Sequence, residues 1–458
     1  MRVLIVSANF IKMPYPVYPL GAGIIAEIAR RNGHEVRLLD LLSAGGFGGY
    51  KPEKLFEVIT EFRPDCVGLS LRNLESTDSS NFEQHWSLDL VKRMVADIRA
   101  KTNAPQVIGG AGFSLMPETI LKHTGADYGL AGEGEEIWPA FLDALAAKAP
   151  TPGLWAKSRP VAHQASAYDL ELVKSYAQQG GLVGVQTKRG CEYNCVYCSY
   201  PLLDGCLIRL RPVEEVLDDL RRLASVVERP HIAFADSVFN DPAGHWRTLL
   251  AAMASASDLK LSWTAFFQPA NFEKEDWRLM KSTGVSGLEF GTDGSNDVAL
   301  GGLNKPFGFG LVTSIQNQCL ANDISTAHYI IFGGPYETPV TVEEGVKNVN
   351  SLKGCVAFIT TGLSIYPNTP LAELALREGL IDSFDDLLKP VYYFSADLDP
   401  DLLDCRLHKA FDTRRDRLYP TSEALERTEV LRRMGYRGIM WDTLIGGASR
   451  GRQRTADG

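Results

Sequence analysis

The stretch Gly184-Val-Gln-Thr-Lys-Arg-Gly-Cys191-Glu-Tyr-Asn-Cys195-Val-Tyr-Cys198-Ser-Tyr-Pro201 carries three of the chain's eight cysteines, spaced C-x3-C-x2-C. The run before it, 181–186, is short, apolar and rich in valine, which predicts a buried strand. Gly190 then opens a loop. A closed structural zinc site takes four protein ligands, and no fourth Cys or His lies at that spacing nearby. Three thiolates suit a 4Fe–4S cluster with one iron left open, whereas a zinc loop or three incidental thiols is the alternative.

The bulk properties limit the class of protein. The 458 residues are enough for about three domains, and 45% hydrophobic with 22% charged residues is typical of globular proteins. A net charge of −9 does not favour a nucleic-acid groove. No window offers a transmembrane span of about 20 apolar residues, and Met1–Asn9 predicts a first strand instead of a signal peptide. We therefore expect a cytoplasmic protein with neither a nucleic-acid nor a membrane partner.

Residues 1–150 alternate between short apolar strands and amphipathic helices, which predicts an α/β domain with a doubly wound, Rossmann-like parallel sheet. Ligands of such sheets bind beyond the carboxyl ends of the strands. Small residues follow the predicted strands at Ser7, Ser70, Gly109 and Gly132. They would let the backbone approach a large flat or anionic ligand closely.

The rest of the chain divides into three parts. Residues 151–180 are rich in Pro, Ala, Ser and Gln and predict a linker. Residues 181–385 repeat the strand–helix rhythm six times, which predicts an open, partial (β/α)6 barrel, short of the eight-stranded form. Residues 386–458 predict a small α-rich region with a helix around Ser422–Met434, and we expect this region to form a lid over the substrate.

The cysteine spacing, with Tyr197 directly before the last cysteine, resembles the signature of the radical S-adenosylmethionine (SAM) superfamily. In that family the open iron is chelated by the amino and carboxylate groups of SAM, and an electron from the cluster cleaves the sulfonium. The resemblance implies that Cys191, Cys195 and Cys198 hold a 4Fe–4S cluster. It also implies an external electron donor of the flavodoxin or ferredoxin type.

The N-terminal segments 16–21, 32–36, 70–73, 109–114 and 126–135 resemble the cobalamin-binding domain of one radical SAM subfamily. The D-x-H-x-x-G motif is absent, which in the family usually means cobalamin held without a protein His ligand. A domain that has lost the cofactor, or an empty scaffold with tight glycine turns, is the alternative. The resemblance implies these cobalamin contacts: Ser70, Arg72, Asn73, Gly110, Ala111, Gly132 and Glu133.

Polar residues and glycines also end the strands of the predicted barrel. Glu289 lies inside an apolar run, and because a buried carboxylate is costly without partners, we expect hydroxyl or cationic neighbours. A helix cap is the alternative for Asp236, a structural salt bridge for Glu289, and a solvated surface position for Lys305, which matches a lysine of the family. The resemblance implies that the following residues contact SAM: Tyr197, Asp236, Gln268, Glu289, Gly291 and Gly333.

The resemblance implies a cobalamin-dependent methyltransferase that acts on an unactivated centre of a small-molecule biosynthetic intermediate. Three alternatives stay open: a radical rearrangement or cyclisation, transfer of a 3-amino-3-carboxypropyl group with a vestigial cobalamin domain, and a non-enzymatic iron–sulfur sensor. The substrate cannot be read from the sequence. Aromatic residues such as Trp263, Phe266, Phe267 and Tyr366 would suit a small or mid-sized molecule, although aromatics at strand ends are more often core.

Overall fold

The chain begins with a six-stranded parallel sheet. This computed structural model describes residues 1–10, 15–46, 49–74, 79, 87–156, 168–421, 430, 439 and 441–445. The strands are β1 (Arg2–Ser7), β2 (Glu35–Asp40), β3 (Cys66–Ser70), β4 (Gln106–Gly109), β5 (Tyr128–Ala131) and β6 (Leu154–Ala156). They lie in the order β2-β1-β3-β4-β5-β6, so the direction of winding reverses at β1 and β3. That reversal is where a doubly wound sheet opens a binding crevice.

Helices cover both faces of this sheet. They are α1 (Leu20–Arg31), α2 (Leu41–Ala44), α3 (Pro52–Phe62), α4 (Leu88–Arg99), α5 (Ala111–Leu115), α6 (Pro117–Thr124) and α7 (Gly134–Ala146). One core lies against α1 and α7, and a second lies against α3, α4 and α6. The inner strand β3 is buried on both faces, as expected for a parallel strand between two helical layers. The predicted Rossmann-like fold is confirmed.

A second sheet forms the partial barrel. Its strands are β7 (Val183–Val185), β10 (His231–Phe234), β11 (Ser262–Phe267), β12 (Val285–Asp293), β13 (Thr326–Phe332), β14 (Cys355–Thr361) and β17 (Arg417–Leu418). They lie in the order β17-β14-β13-β12-β11-β10-β7, all parallel. Two short hairpins stand beside it: β8 (Lys188–Arg189) pairs with β9 (Arg209–Leu210), and β15 (Leu363–Ser364) with β16 (Tyr392–Tyr393). The six strands from β7 to β14 confirm the predicted (β/α)6 arrangement.

The helices of the barrel follow from amphipathic patterns and capping residues. They are α8 (Leu170–Gln178), α9 (Tyr200–Asp204), α10 (Val213–Ala224), α11 (His245–Ser255), α12 (Asp276–Ser282), α13 (Asp297–Gly302), α14 (Phe309–Ala321), α15 (Pro339–Ser351), α16 (Pro370–Arg377), α17 (Pro400–Phe411) and α18 (Trp441–Ile445), with a 3₁₀ helix at Phe384–Leu388. Helix α10 buries Val216, Leu220 and Leu223 at helical spacing. Thr338 begins α15 with a reciprocal capping bond to Thr341, and proline takes the first helical position.

The segments outside the two predicted domains carry structure that the sequence did not indicate. Strand β6 and helix α8 lie within 151–180, which we expected to be a linker, and β6 extends the first sheet. Strand β17 lies within 386–458 and extends the barrel sheet. The helix predicted around 422–434 lies outside the described residues. None of the described helices is long and apolar enough to cross a bilayer.

The region predicted as a lid divides between two ends of the barrel. Phe394 packs against Gly333 and Gly362, beside the carboxyl ends of β13 and β14. Trp441, by contrast, packs against Gly287 near the beginning of β12, where it forms a floor. Within the described residues of this region, the part near Phe394 lies where a lid would.

Candidate cofactor and active site

The three cysteines of the C-x3-C-x2-C stretch share one loop, which follows the β8 strand. Cys191 and Cys195 are buried and Cys198 is half-buried, and all three are free thiols. The N–H of Cys191 donates to the carbonyl of Gly205 at 3.1 Å. Gly190 has φ +92°, and a Cβ there would lie 2.2 Å from the carbonyl oxygen of Leu207, so only glycine fits. The β8–β9 hairpin therefore fixes the beginning of the cysteine loop.

The cysteine thiols are close enough to influence one another. Burial raises the pKa of Cys195, and Cys191 adds to that effect. Burial also raises the pKa of Cys198 to about 12, with Cys195 and Cys191 adding to it. Among the described residues no group of three or more His, Cys, Asp or Glu side chains could hold a single metal ion. A cubane differs from such a site, because each thiolate binds its own iron. Three interacting thiols on one loop fit the donor set of an iron–sulfur cluster.

A buried network of Tyr197, Asp293 and Lys305 lies against these thiols. The Tyr197 hydroxyl donates to Asp293 at 2.5 Å, Lys305 pairs with the same carboxylate, and the Lys305 Nζ donates to the carbonyl of Gly291 at 3.1 Å. Burial lowers the pKa of Lys305, but Asp293 and the thiols of Cys195 and Cys198 outweigh it and leave that pKa raised. A buried ammonium group can offset the negative charge of neighbouring thiolates.

A solvated surface position was the alternative for Lys305, and it is wrong because the side chain is 3% exposed. Asp293 was missed. Its sequence signal was its place as the last residue of β12, directly after Gly291 and Thr292, and its backbone lies in the left-handed region at φ +57°. Tyr197 lies where the resemblance placed it, beside the cysteines, and its contact with SAM stays a prediction.

Asp236 holds the strand that leads into the cysteine loop. It accepts hydrogen bonds from the N–H of Thr187 at 2.7 Å, the Thr187 hydroxyl at 2.5 Å, and the Nζ of Lys188 at 3.1 Å. The residue is buried at 3% exposure. These contacts favour a role in holding the loop over the helix cap or the SAM contact that the sequence suggested.

Glu289 lies in the interior of the barrel beside a hydroxyl donor, as the sequence predicted. The Tyr329 hydroxyl donates to Glu289 at 2.7 Å, and burial raises the pKa of the carboxyl. No Lys or Arg of the described part of the chain forms an ion pair with Glu289, and its contact with SAM stays a prediction.

Gln268 carries an acceptor that the protein leaves open. Asn240 bonds both backbone groups of Gln268, which fixes its position at the end of β11. The Gln268 Oε1 atom is buried and has no hydrogen-bond partner among the described residues. Since buried polar atoms are normally paired, this atom is a candidate contact for a bound molecule.

Glu337 shapes the loop at the end of β13. The N–H groups of Gly333 and Gly334 donate to one Glu337 oxygen at 2.7 and 2.8 Å. Gly333 has φ +97°, and Phe394 packs beside it. Gly291 and Gly333 lie at the carboxyl ends of two neighbouring strands, and their contact with SAM stays a prediction.

A cleft opens where the carboxyl ends of the first sheet face the barrel. It contains about 1750 Å³ of empty space, including its mouth open to solvent. Six of the seven predicted cobalamin residues line it, all but Asn73: Ser70, Arg72, Gly110, Ala111, Gly132 and Glu133. The barrel contributes residues such as Gly184, Gln186 and Tyr200. A wide cleft bordered by small residues fits a large flat cofactor.

Four charged residues join this cleft to the cysteine loop, and we call them the interdomain ion cluster: Glu133, Glu135, Arg189 and Arg209. Arg189 pairs with Glu135 at 2.6 Å, and Arg209 donates to Glu133 at 3.0 Å. Arg189 also lies 3.7 Å from Glu133. Glu133 therefore binds barrel arginines in addition to lining the cleft. Arg189 directly precedes Gly190, so the cleft and the cysteine loop share one charged contact.

Comparisons with known proteins agree with this geometry. Residues 6–142 match the B12 binding domain family. The chain is 25% identical over 439 residues to tryptophan 2-C-methyltransferase of Streptomyces laurentii, with 78% of this chain and 72% of that protein covered. It is 23% identical over 493 residues to cytidylyl-2-hydroxyethylphosphonate methyltransferase of Streptomyces wedmorensis, with 89% and 88% covered.

A solved structure extends the match to the whole chain. The radical SAM methyltransferase TsrM of Kitasatospora setae, solved with cobalamin and a 4Fe–4S cluster, superposes with a TM-score of 0.81 at 23% identity, and 97% of each chain is covered. The chain therefore has a B12-binding domain followed by a barrel, with the fold of this methyltransferase. The cleft described above lies at the carboxyl edge of the sheet in the B12-binding domain, and Arg189, which precedes the cysteine loop, lines it from the barrel.

Proposed function

We propose that this chain is a cobalamin-dependent radical SAM methyltransferase that acts on an unactivated centre of a small molecule. The observation that carries the proposal is the interdomain ion cluster. It joins the edge of the B12-binding domain to the loop that holds three cysteines. Transfer of a methyl group from SAM to cobalamin requires the two sites to be adjacent, since a small misplacement of reacting groups slows a transfer strongly.

We assign the following roles to the residues of the two sites. Cys191, Cys195 and Cys198 would hold the cluster, with Lys305 offsetting its negative charge. Gly291, Gly333 and Gln268 would fix SAM through backbone and amide groups. Arg72 lines the cleft from the B12-binding domain. Bound together, the cluster would supply an electron, SAM the methyl group, and cobalamin a carrier for that group.

Reductive cleavage of SAM consumes an electron, which the chain must receive from outside. We propose a flavodoxin- or ferredoxin-type donor as the physiological source. Chemical reduction with dithionite would replace it in the assays below.

The methyl group can be followed without knowledge of the substrate. Anaerobically reconstituted protein would be incubated with cobalamin, dithionite and SAM labelled in its methyl group. We expect labelled methylcobalamin bound to the protein, together with 5′-deoxyadenosine when a substrate or the solvent quenches the radical. Labelled 5′-methylthioadenosine without methylcobalamin would instead indicate transfer of the 3-amino-3-carboxypropyl group.

Two cysteine variants provide a matched control. Cys198→Ala should abolish 5′-deoxyadenosine formation, because the cluster loses one of three ligands. Cys206 is exposed and lies on the adjacent hairpin, so Cys206→Ala should retain activity. Equal 5′-deoxyadenosine formation by both variants would contradict the assignment of the cluster.

A further inference from the structure

Side chains along the barrel strands alternate between an outward-facing set and an inward-facing set. Ala265, Phe290 and Ile330 pack outward against the surrounding helices. Their neighbours in sequence face inward, where Tyr329 and Phe358 pack above Trp441. This alternation is the period of a β-strand. It identifies the inward set as the lining of the barrel interior.

Four inward residues form a row across four adjacent strands, and we call them the lumen row: Phe266, Glu289, Tyr329 and Phe358. The backbone register places Phe266 beside Glu289 and Tyr329 beside Phe358. The rings of Phe266 and Tyr329 lie 5.4 Å apart, and those of Tyr329 and Phe358 are stacked at 5.2 Å with 14° between their planes. The row therefore consists of three neighbouring aromatic rings and one carboxyl group.

Phe266 is the member of the lumen row whose ring its neighbours leave partly exposed. It is 40% exposed, whereas its neighbours Ala265 and Phe267 are 2% and 1% exposed. Trp263 and Phe267 belong to the outer core. The sequence left open whether these aromatics face a substrate or pack in the core, and the alternation of side chains along β11 places both of them in the core and Phe266 in the interior. An exposed aromatic face inside a barrel offers an apolar surface on which another ring can stack.

The polar chemistry of the row is that of a buried hydrogen-bonding site. Glu289 is its single ionisable carboxyl, and the adjacent Tyr329 hydroxyl already donates to it. Burial raises the pKa of Glu289, which favours the protonated form. A protonated carboxyl can both donate and accept a hydrogen bond. The row and Trp441 beneath it carry no positive charge, so they offer nothing to a carboxylate or phosphate group.

We propose that the lumen row is the substrate subsite of this enzyme and takes a flat, uncharged aromatic ring with one polar atom. The ring stacks on Phe266, and the polar atom bonds the Glu289 carboxyl. Trp441 limits how deeply the ring enters. The proposal relies on the proposed function for the reaction that follows, but ring binding is measured without turnover and can fail or succeed separately.

The test compares benzamide with cyclohexanecarboxamide, which share a carboxamide and a six-membered ring and differ in whether that ring is aromatic. Binding of each is measured by ligand-observed NMR titration of the reconstituted protein. We expect benzamide to bind about fivefold more tightly, the usual effect of one aromatic pair. Phe266→Ala should remove that preference, and so should Phe266→Leu, which keeps apolar volume and guards against a folding defect. Glu289→Gln should retain it, because the amide is neutral like the protonated acid.

S-adenosylhomocysteine is the control ligand, because Phe266 could instead stack on the adenine of SAM. We expect the Phe266 variants to bind it as the native protein does. An equal loss of benzamide and S-adenosylhomocysteine binding would assign Phe266 to the adenine and overturn the proposal. Equal affinity of the native protein for the two amides would also overturn it. Labelled methylcobalamin formed by the same preparation would show that the proposed function survives either result.

Discussion

Single residues decide the environment of the cysteine loop, and Lys305 is the clearest case. Lys305→Met would leave Asp293 buried with only the Tyr197 hydroxyl and no cation. Removing one partner of a buried ion pair costs about 3–5 kcal/mol, so we expect a loss of that order in urea unfolding of the metal-free protein. Lys54→Met, which removes an exposed pair with Glu57, should leave stability nearly unchanged, because surface ion pairs are screened by solvent. Similar losses in the two variants would contradict the buried network.

A second residue, Glu337, makes stability depend on pH. Burial raises its pKa from an ordinary 4.5 to about 7, while the Gly333 and Gly334 amides oppose the shift. Because the folded state favours the protonated form, this contribution is fully present below pH 4.5 and is lost as the pH rises towards 7. The loss would be about 3 kcal/mol. Glu337→Gln, whose carbonyl can still accept both amides, should lack this slope in urea titrations between pH 4.5 and 7, and an unchanged slope would refute the assignment.

At the scale of elements, the β8–β9 hairpin connects the two cofactor regions. Arg189→Met would break its pair with Glu135 and weaken the contact with Glu133. We expect amide hydrogens in residues 188–210 to exchange faster, because the hairpin loses its attachment to the B12-binding domain. Hydrogen-exchange mass spectrometry would measure this. Thr119→Val removes a different interdomain bond, an exposed one to Asp385, and should leave exchange in 188–210 unchanged.

The floor of the barrel depends on close contact between a strand and helix α18. A Cβ at Gly287 would lie 2.5 Å from the Trp441 ring and 2.8 Å from Ile439. Gly287→Ala should therefore displace Trp441 and destabilise the protein by about 1–3 kcal/mol, seen in thermal unfolding with a red-shifted tryptophan emission. Gly301 in α13 has open space around it, so Gly301→Ala should be neutral or stabilising. A Gly287→Ala protein as stable as the native chain would show that Trp441 does not form the floor.

These elements also show how far the sequence could lead. Strand–helix rhythm predicted both sheets, because hydrophobic period and turn residues act over a few neighbours. It missed β6 and β17, which are two or three residues long and gain their structure only by pairing with a longer strand. The contact between Trp441 and Gly287 was not predicted, because nothing near Trp441 in the sequence indicates Gly287.

Across the whole molecule, the cysteines could be identified from the sequence, whereas the residues around them could not. Three cysteines close together in the sequence indicate a cluster, because that signal is local. The partners of that loop do not: Glu133 lies 76 residues before Arg209, and Asp293 lies 96 residues after Tyr197. Only the packing of the B12-binding domain on the barrel brings them together. The residues that couple the two cofactor sites therefore emerge from the fold, whereas the cofactors themselves could be inferred from motifs.

We propose that the loop of Cys191, Cys195 and Cys198 holds an iron–sulfur cluster whose open iron takes SAM beside the cobalamin cleft. Electron paramagnetic resonance of anaerobically reconstituted, dithionite-reduced protein tests this assignment directly. We expect a reduced 4Fe–4S signal that shifts when SAM is added and disappears when all three cysteines are changed to alanine. A cluster signal that survives the triple change would contradict it.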